Sequence, residues 1–297
     1  MTKAKAQRQA RETAAAFGFL IPFTLFYTVF TIWPVIQGAI VSFHKWGIMG
    51  RQKFSGLANY AKMMKDRFFW ESLGNTTKFT IITVPMLIVL AVSLALLANR
   101  KSRLQKMYRV CYYMPNVLSV SVVSFLTIYM GSPYMGFVNG LMHTLGAPSS
   151  FEPLWLKDPN LVWFTICWIT AWWTVGFSMM LYLSALQEIS PEIYEAADID
   201  GASKTRQLFN ITLPLLKPTT FLVLLLQIIA CYKVFGQIYM ITKGGPGTIT
   251  RPLIQYIYET AFTKNDFGYA ASMSYALFLI LVILSVIQTA VQRRSEA

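Results

Sequence analysis

Five stretches of this chain contain no Asp, Glu, Lys or Arg: residues 13–43, 79–97, 110–151, 159–187 and 267–292. A sixth, 218–242, is broken only by Lys233. No other feature limits the fold as severely. About 20 apolar residues in a helix cross the hydrocarbon core of a bilayer. The helix also satisfies every backbone polar group within the segment, which lipid demands. The runs therefore predict an all-α membrane protein with six transmembrane helices. Their cores lie near 17–43, 77–98, 110–130, 161–186, 218–243 and 267–291. Only 13% of the 297 residues are charged, about half the share of soluble domains, and mean hydropathy is +0.47.

Lys3, Lys5, Arg8 and Arg11 precede the first run, as in a signal peptide. The run is far longer than the roughly 7–15 residues of a signal core, and no small-residue cleavage site stands out. It reads as a retained first span. Lys and Arg set the orientation. With a cytoplasmic N-terminus, the inner segments 1–16, 99–109, 187–217 and 292–297 hold 14 basic residues in 64 positions. The outer segments 44–75, 131–160 and 243–266 hold 10 in 86. The denser inside, led by "RKSRLQKMYR" at 100–109, obeys the positive-inside rule and places both termini in the cytoplasm. The first outer segment, with six basic residues, runs against it. The net charge of +13 is thus mostly topology. The basic residues flank spans instead of forming one face, so nucleic acid is not an expected partner. One transmembrane domain over 17–291 follows, with cytoplasmic tails over 1–16 and 292–297.

Several chemistries are missing. Cys111, Cys167 and Cys231 fall in predicted spans with no paired spacing, and read as small buried apolar residues. His44 and His143 lie in outer segments, outside any zinc-hydrolase spacing. No nucleophile elbow and no phosphate-cradling glycine loop occurs. The chain has no expected catalytic or metal site and no cofactor of its own. Any ATP and Mg that drive it belong to another chain.

The polar stretch "PEIYEAADIDGASKTRQLFNITLPLLKP", from Pro191 to Pro218, is punctuated by turn signals. Ser190 is a good N-cap, Pro191 suits the first helical position, and Glu192 complements the helix dipole. A helix to about Asp200 should end on Gly201. Ser203 should cap a second helix through Gln207 and Phe209, stopped by Pro214. Ala196, Ala197, Gly201 and Ala202 would let another surface approach closely, with Glu195, Asp198 and Asp200 at the edges. This is either a docking knob or a capped hairpin that only links two spans.

"EAADIDGASKTRQLFNITLP" resembles the EAA loop in membrane subunits of binding-protein-dependent ABC importers. Glu195, Ala196, Ala197, Asp200, Gly201, Ala202, Phe209, Ile211, Leu213 and Pro214 carry the resemblance. "NTTKFTIITVP", "YYMPNVLS", "GFVNGLMHTLG" and "ITKGGPGTITRPLIQYIYETAF" are similar to stretches of the sugar-type permeases, the maltose and glycerol-phosphate class. The "GGP" segment is similar to the first of that class's two paired subunits. Gly236 departs from the pattern, where many relatives carry Asp. The resemblance spans residues 17–294. It implies a type I importer permease fold in the plasma membrane, with a cytoplasmic coupling helix in the loop 187–217. Glu195, Ala196, Ala197, Asp200, Gly201 and Ala202 would be its coupling residues. The implied partners are a sister permease, two cytoplasmic ATPase subunits, an extracytoplasmic substrate-binding protein, membrane lipid and a carbohydrate. The implied mechanism is alternating access.

A permease needs a path near the bilayer middle. Trp172 and Trp173 lie too deep in the fourth span for interfacial anchors, and either stack on sugar rings or pack between helices. Successive side chains diverge on a helix, so one of the two should face the path. Tyr232, Lys233 and Gln237 are polar or amphipathic groups deep in the fifth span, and the family resemblance makes them substrate-path candidates. Ammonium groups are costly in lipid, so Lys233 should face water or a partner. The function expected is import of an oligosaccharide. An anionic sugar derivative or glycerol phosphate is the alternative. A secondary transporter is disfavoured, because no Asp or Glu lies in the six cores to couple an ion.

Overall fold

The computed structural model describes residues 17–296 apart from Lys101, Met135 and Ser149. The cytoplasmic tail expected over 1–16 lies outside the described residues. In chain order the helices and strands are α1 (Phe17–Ser42), β1 (His44–Gly47), β2 (Gly50–Phe54), α2 (Ala58–Lys65), α3 (Arg67–Asn99) and α4 (Gln105–Tyr113). There follow α5 (Val120–Met130), α6 (Phe137–Thr144), α7 (Leu161–Glu188), α8 (Pro191–Ile199) and α9 (Lys204–Leu215). Last come α10 (Lys217–Tyr232), α11 (Gly236–Thr242), α12 (Leu253–Tyr258) and α13 (Phe267–Glu296). The antiparallel β1–β2 hairpin departs from the all-α expectation. The segment 292–296, expected as a tail, continues α13.

Among the described residues, four helices are long and apolar enough to cross a membrane: α1, α3, α7 and α13. Two pairs reach that length only across a bend, α4 with α5 at 94° and α9 with α10 at 61°. The third expected span is therefore not one straight helix. Pro115 opens a 3₁₀ turn over Met114–Val117, Leu118 is extended, and the Ser119 hydroxyl starts α5 by accepting from the Val122 N–H. The fifth run, expected as one helix over 218–243, breaks at 233–235 between α10 and α11. No proline marks this break. Gly236 brings α11 against α5, where an added methyl group would lie 3.3 Å from Val120 Cγ2. Tertiary packing overrides local propensity there.

Two other prolines do not end their helices. Pro34 and Pro214 each follow a π-helical turn, over Thr28–Ile32 and Leu208–Thr212. A proline ring clashes with the carbonyl four residues earlier, here that of Phe30 or Asn210. Widening the helix at those residues relieves the clash. This corrects the expectation that Pro214 stops the second loop helix, since α9 runs through it to Leu215.

The chain divides into two compact units. In the unit of residues up to Lys65 and Ile257–Leu277, α1 exposes Phe19, Phe23, Phe26 and Phe30. Such a surface needs lipid or another subunit. The other unit is built on α3 and α7. Ala91, Ala95 and Ala98 are fully buried against Ala171, Val175, Met179, Tyr182 and Leu183. Small residues at that spacing let helices approach closely in a bilayer. Gly176 serves the same end, because a methyl group there would lie 2.8 Å from the Tyr113 Cα. Cys167 and Cys231 are buried as expected, but Cys111 is exposed on α4.

Candidate functional site

The loop between α7 and α10 is built from its capping chemistry. Pro191 stands in the first turn of α8, with Glu192 beside it. The Ser190 hydroxyl makes no capping bond, contrary to expectation. Pro191 has already removed one orphan donor, and the Ser190 carbonyl accepts from the Ile193 N–H at 3.2 Å. At the other end, Gly201 adopts φ +71°. The Ala202 N–H donates to the Ala197 carbonyl at 2.9 Å and the Gly201 N–H to Asp198 at 3.1 Å. This is a Schellman motif, and it depends on a left-handed residue. The Ser203 hydroxyl then caps α9 by accepting from the Arg206 N–H at 3.3 Å.

The acids of this loop have different tasks. Asp198 turns back onto the loop. Lys204 Nζ lies 2.8 Å from one carboxylate oxygen, and Gln207 Nε2 donates to it as well. The Lys204 bond first, and the Gln207 bond after it, hold the Asp198 carboxyl below the usual carboxylate range. Gln207 also donates to the Ala202 carbonyl at 3.2 Å, closing the turn. Glu192, Glu195, Ala196 and Ile199 form one exposed stripe at helical spacing. Ile199 is 87% exposed, and Asp200 and Gly201 continue the exposed end. Ala197 faces inward and is buried, and Ala202 is half-buried. Below the stripe, the Tyr194 hydroxyl meets Thr212 Oγ1 at 2.9 Å, and Tyr182 donates to Thr220 Oγ1 at 3.2 Å.

The five path candidates occupy three places. Tyr232 is buried at the end of α10, its hydroxyl 3.1 Å from Thr77 Oγ1 on α3. Lys233 is exposed at the C-cap of α10, and Gln237 is half-buried on α11. Trp172 lines an apolar cavity of about 510 Å³ with Trp155, Phe164 and Trp168, between α5, α6 and α7. Trp173 points elsewhere and donates to the Leu118 carbonyl at 3.0 Å, at the bend between α4 and α5.

Sequence reasoning missed three features. Lys78 is a second exposed cation near the helix break, its Nζ 4.7 Å from the Trp163 ring centroid. Asn75 donates to the carbonyls of Thr248 (2.9 Å) and Arg251 (3.2 Å), while Thr76 accepts from the Leu253 N–H at 2.9 Å. The Thr248 hydroxyl donates to Glu71. The "GGP" loop is thus clamped to α3. The signal was present: "NTTK" puts four polar residues at the head of an apolar run. The third feature is the apolar component of the loop face, Ile193, Ile199 and Phe209, which the acids overshadowed.

A family model described as "Binding-protein-dependent transport system inner membrane component" matches residues 79–296. The sulfoquinovosyl glycerol transport permease of Agrobacterium fabrum is 32% identical, over 93% of this chain and 90% of its own length. The lactose transport permease of Rhizobium radiobacter is 34% identical over 91% of each chain. The arabinooligosaccharides transport permease of Bacillus subtilis is 30% identical, over 92% of this chain and 87% of its own. A chain of the bacterial alginate ABC transporter, solved with its alginate pentasaccharide-bound periplasmic protein, has the same fold. Its TM-score is 0.83 over 97% of this chain and 96% of that one, at 22% identity. Relatives that align along nine tenths of the sequence, and a family model that runs from within α3 to the end of α13, make this chain an inner-membrane permease subunit of the binding-protein-dependent ABC transporter family.

Proposed function

We propose that this chain is one of two paired permeases that carry an oligosaccharide into the cell, driven by ATP hydrolysis on partner subunits. The observation that carries the proposal is the exposed stripe of α8. Its carboxylates and Ile199 stand outside the spans, on a loop fastened to the base of α10. Such a face fits a groove on a cytoplasmic ATPase. Glu195, Ala196, Asp200 and Gly201 would form the contact, while Ala197 and Ala202 set the shape behind it. In this reading the chain is a single transmembrane domain over 17–291 with six spans, two of them bent, and both termini are cytoplasmic. ATP and Mg bind the two ATPase subunits, and an extracytoplasmic binding protein delivers the sugar. Carbohydrate is the cargo common to the relatives named above, which supports the substrate class.

A second reading, import of an anionic sugar derivative, is favoured by Lys78 and Lys233. They follow Thr77 and Tyr232, the partners of one hydrogen bond, and both are exposed. Among the described residues neither has a salt-bridge partner.

The test is reconstitution of the chain with its sister permease, ATPase and binding protein in proteoliposomes. Neutral and uronate oligosaccharides are offered in turn. ATP-dependent uptake of a neutral oligosaccharide supports the first reading, and uptake confined to uronates supports the second. Uptake driven by an ion gradient without the ATPase overturns both.

A further inference from the structure

The six basic residues of segment 44–75 run against the charge pattern of the other loops, and among the described residues only Lys62 has a salt-bridge partner, Asp266 at 2.8 Å. Three of them stand on the β1–β2 hairpin. Lys45 and Lys53 lie directly opposite each other across the strands, and Arg51 lies opposite Trp46. All three are exposed. Like charges directly opposite destabilise a strand pair, and a lone two-stranded hairpin is marginal already. Among the described residues no acid forms a salt bridge with any of the three.

The hairpin is nonetheless held firmly at its root. Asn59 Nδ2 donates to the carbonyls of Ser42 (2.8 Å) and His44 (3.0 Å). The Ser55 N–H donates to the Phe43 carbonyl at 2.8 Å, and His44 Nδ1 donates to Ile40 at 2.6 Å. A methyl group at Gly268 would lie 2.1 Å from the His44 carbonyl, so only glycine lets α13 close on the root. The tip is the opposite. Ile48 is 76% exposed and Met49 92%.

We propose that this hairpin is a membrane-surface anchor. Lys45, Arg51 and Lys53 bind the phosphates of anionic phospholipids at the face where α1 leaves the bilayer, and Ile48 and Met49 enter the interface. Lys45 is three residues beyond Ser42, which at ~3.3 Å per residue is at most ~10 Å from the end of the span. The headgroup layer is about 5–8 Å deep on each side, and anionic lipids attract cations within roughly a Debye length of ~8 Å. An acidic partner protein would satisfy the cations, but the membrane interface also accepts the two apolar tip residues. The proposal requires only that α1 crosses a bilayer, so it stands or falls separately from the carbohydrate reading.

The test places an environment-sensitive fluorophore on Met49→Cys in the full chain with Cys111→Ser. The protein is reconstituted in nanodiscs of phosphatidylcholine alone or with phosphatidylglycerol. The expected result is blue-shifted emission, quenched by brominated lipid, in the anionic discs only. About 1 M salt should abolish it, since screening then acts within ~3 Å. Lys45→Gln, Arg51→Gln and Lys53→Gln combined should reduce the apparent affinity for phosphatidylglycerol at least tenfold. The lipid and salt comparisons need no charge substitution, so they decide the matter even where that triple variant does not fold. Equal emission in both discs at low salt overturns the proposal. So does shielding of the label by added binding protein in neutral discs, which would make the hairpin a protein-docking element.

Discussion

Trp172 and Trp173 are chain neighbours with opposite surroundings. Trp173 gives its indole N–H to the Leu118 carbonyl at 3.0 Å, and Trp172 faces the cavity between α5, α6 and α7. Leu118 sits in the extended link between α4 and α5, where helical bonding lapses. An orphaned carbonyl in that setting costs about 1–3 kcal/mol when its donor is removed. Trp173→Phe should therefore lower the thermal midpoint of the purified complex and loosen the bend. Trp172→Phe should leave the midpoint unchanged. Scanning calorimetry on the two variants checks this, and an equal loss in both would remove the distinction.

Gly201 has open space around it, since an added methyl group would meet nothing within 4 Å. Its constraint is φ +71° alone. Left-handed backbone costs an ordinary residue about 1–2 kcal/mol, and a β-branched residue resists it further. Gly201→Val should uncouple ATP hydrolysis from transport while the complex still assembles. Gly201→Asn should recover much of the loss, because Asn tolerates this conformation. Substrate-stimulated ATPase activity measures both, and steric crowding as the cause would leave Asn as poor as Val.

Asp198 is exposed but tied to Lys204 and Gln207. Its carboxyl lies below its unfolded value, so the clamp is present above the ordinary Asp range. It is lost as pH falls through the depressed folded value. Amides of the turn at 201–207 should keep their exchange protection at neutral pH and lose it only under strongly acidic conditions. Asp198→Asn should show the weakened protection already at pH 7. Hydrogen exchange read by mass spectrometry decides this, and protection unchanged in Asp198→Asn would show that the Schellman bonds suffice alone.

Lys233→Met keeps the apolar stem and removes the charge. If Lys233 faces the path, the variant should assemble with its sister subunit and transport more slowly at saturating binding protein. Poor assembly would place its partner on the sister subunit instead. A slowed uronate with an unaffected neutral oligosaccharide would assign it to anion recognition. Uptake assays paired with size-exclusion chromatography separate these outcomes.

Membrane sidedness rests on the Lys and Arg pattern. In Cys111→Ser background, cysteines at Arg103 and Ser203 should react with impermeant thiol reagents only from the cytoplasm. A cysteine at Lys157 should react only from outside. All three positions are exposed, so slow labelling cannot be blamed on burial. The reversed pattern would invert the topology.

The unbroken spans α1, α3, α7 and α13 were legible because charge exclusion acts on every residue of a helix in lipid. The α8 turn was legible because Gly201 and Ser203 are local signals. The bend at Leu118 was half-visible in Pro115, but its depth needed Gly176 and Trp173, which lie far along the chain. The break at Lys233 had only Gly236 as a local mark, and what that glycine does depends on Val120, far along the chain. Pro214 was misread because a π turn is invisible in composition, although it changes what a proline does four residues later. The path residues stayed scattered for a related reason. Period and polarity locate a side chain on its own helix but do not say which neighbouring helix it meets.

Two hydroxyl pairs tie the loop to the spans on either side of it: Tyr194 on α8 meets Thr212 on α9, and Tyr182 on α7 donates to Thr220 on α10. If Ile199 docks on a partner as proposed, a push there would reach α10 by way of α9, which meets α10 at a 61° bend. On that reading α9 would serve as the crank of a lever whose far end is the helix break at Lys233, so the 61° elbow between α9 and α10 would set the lever's angle.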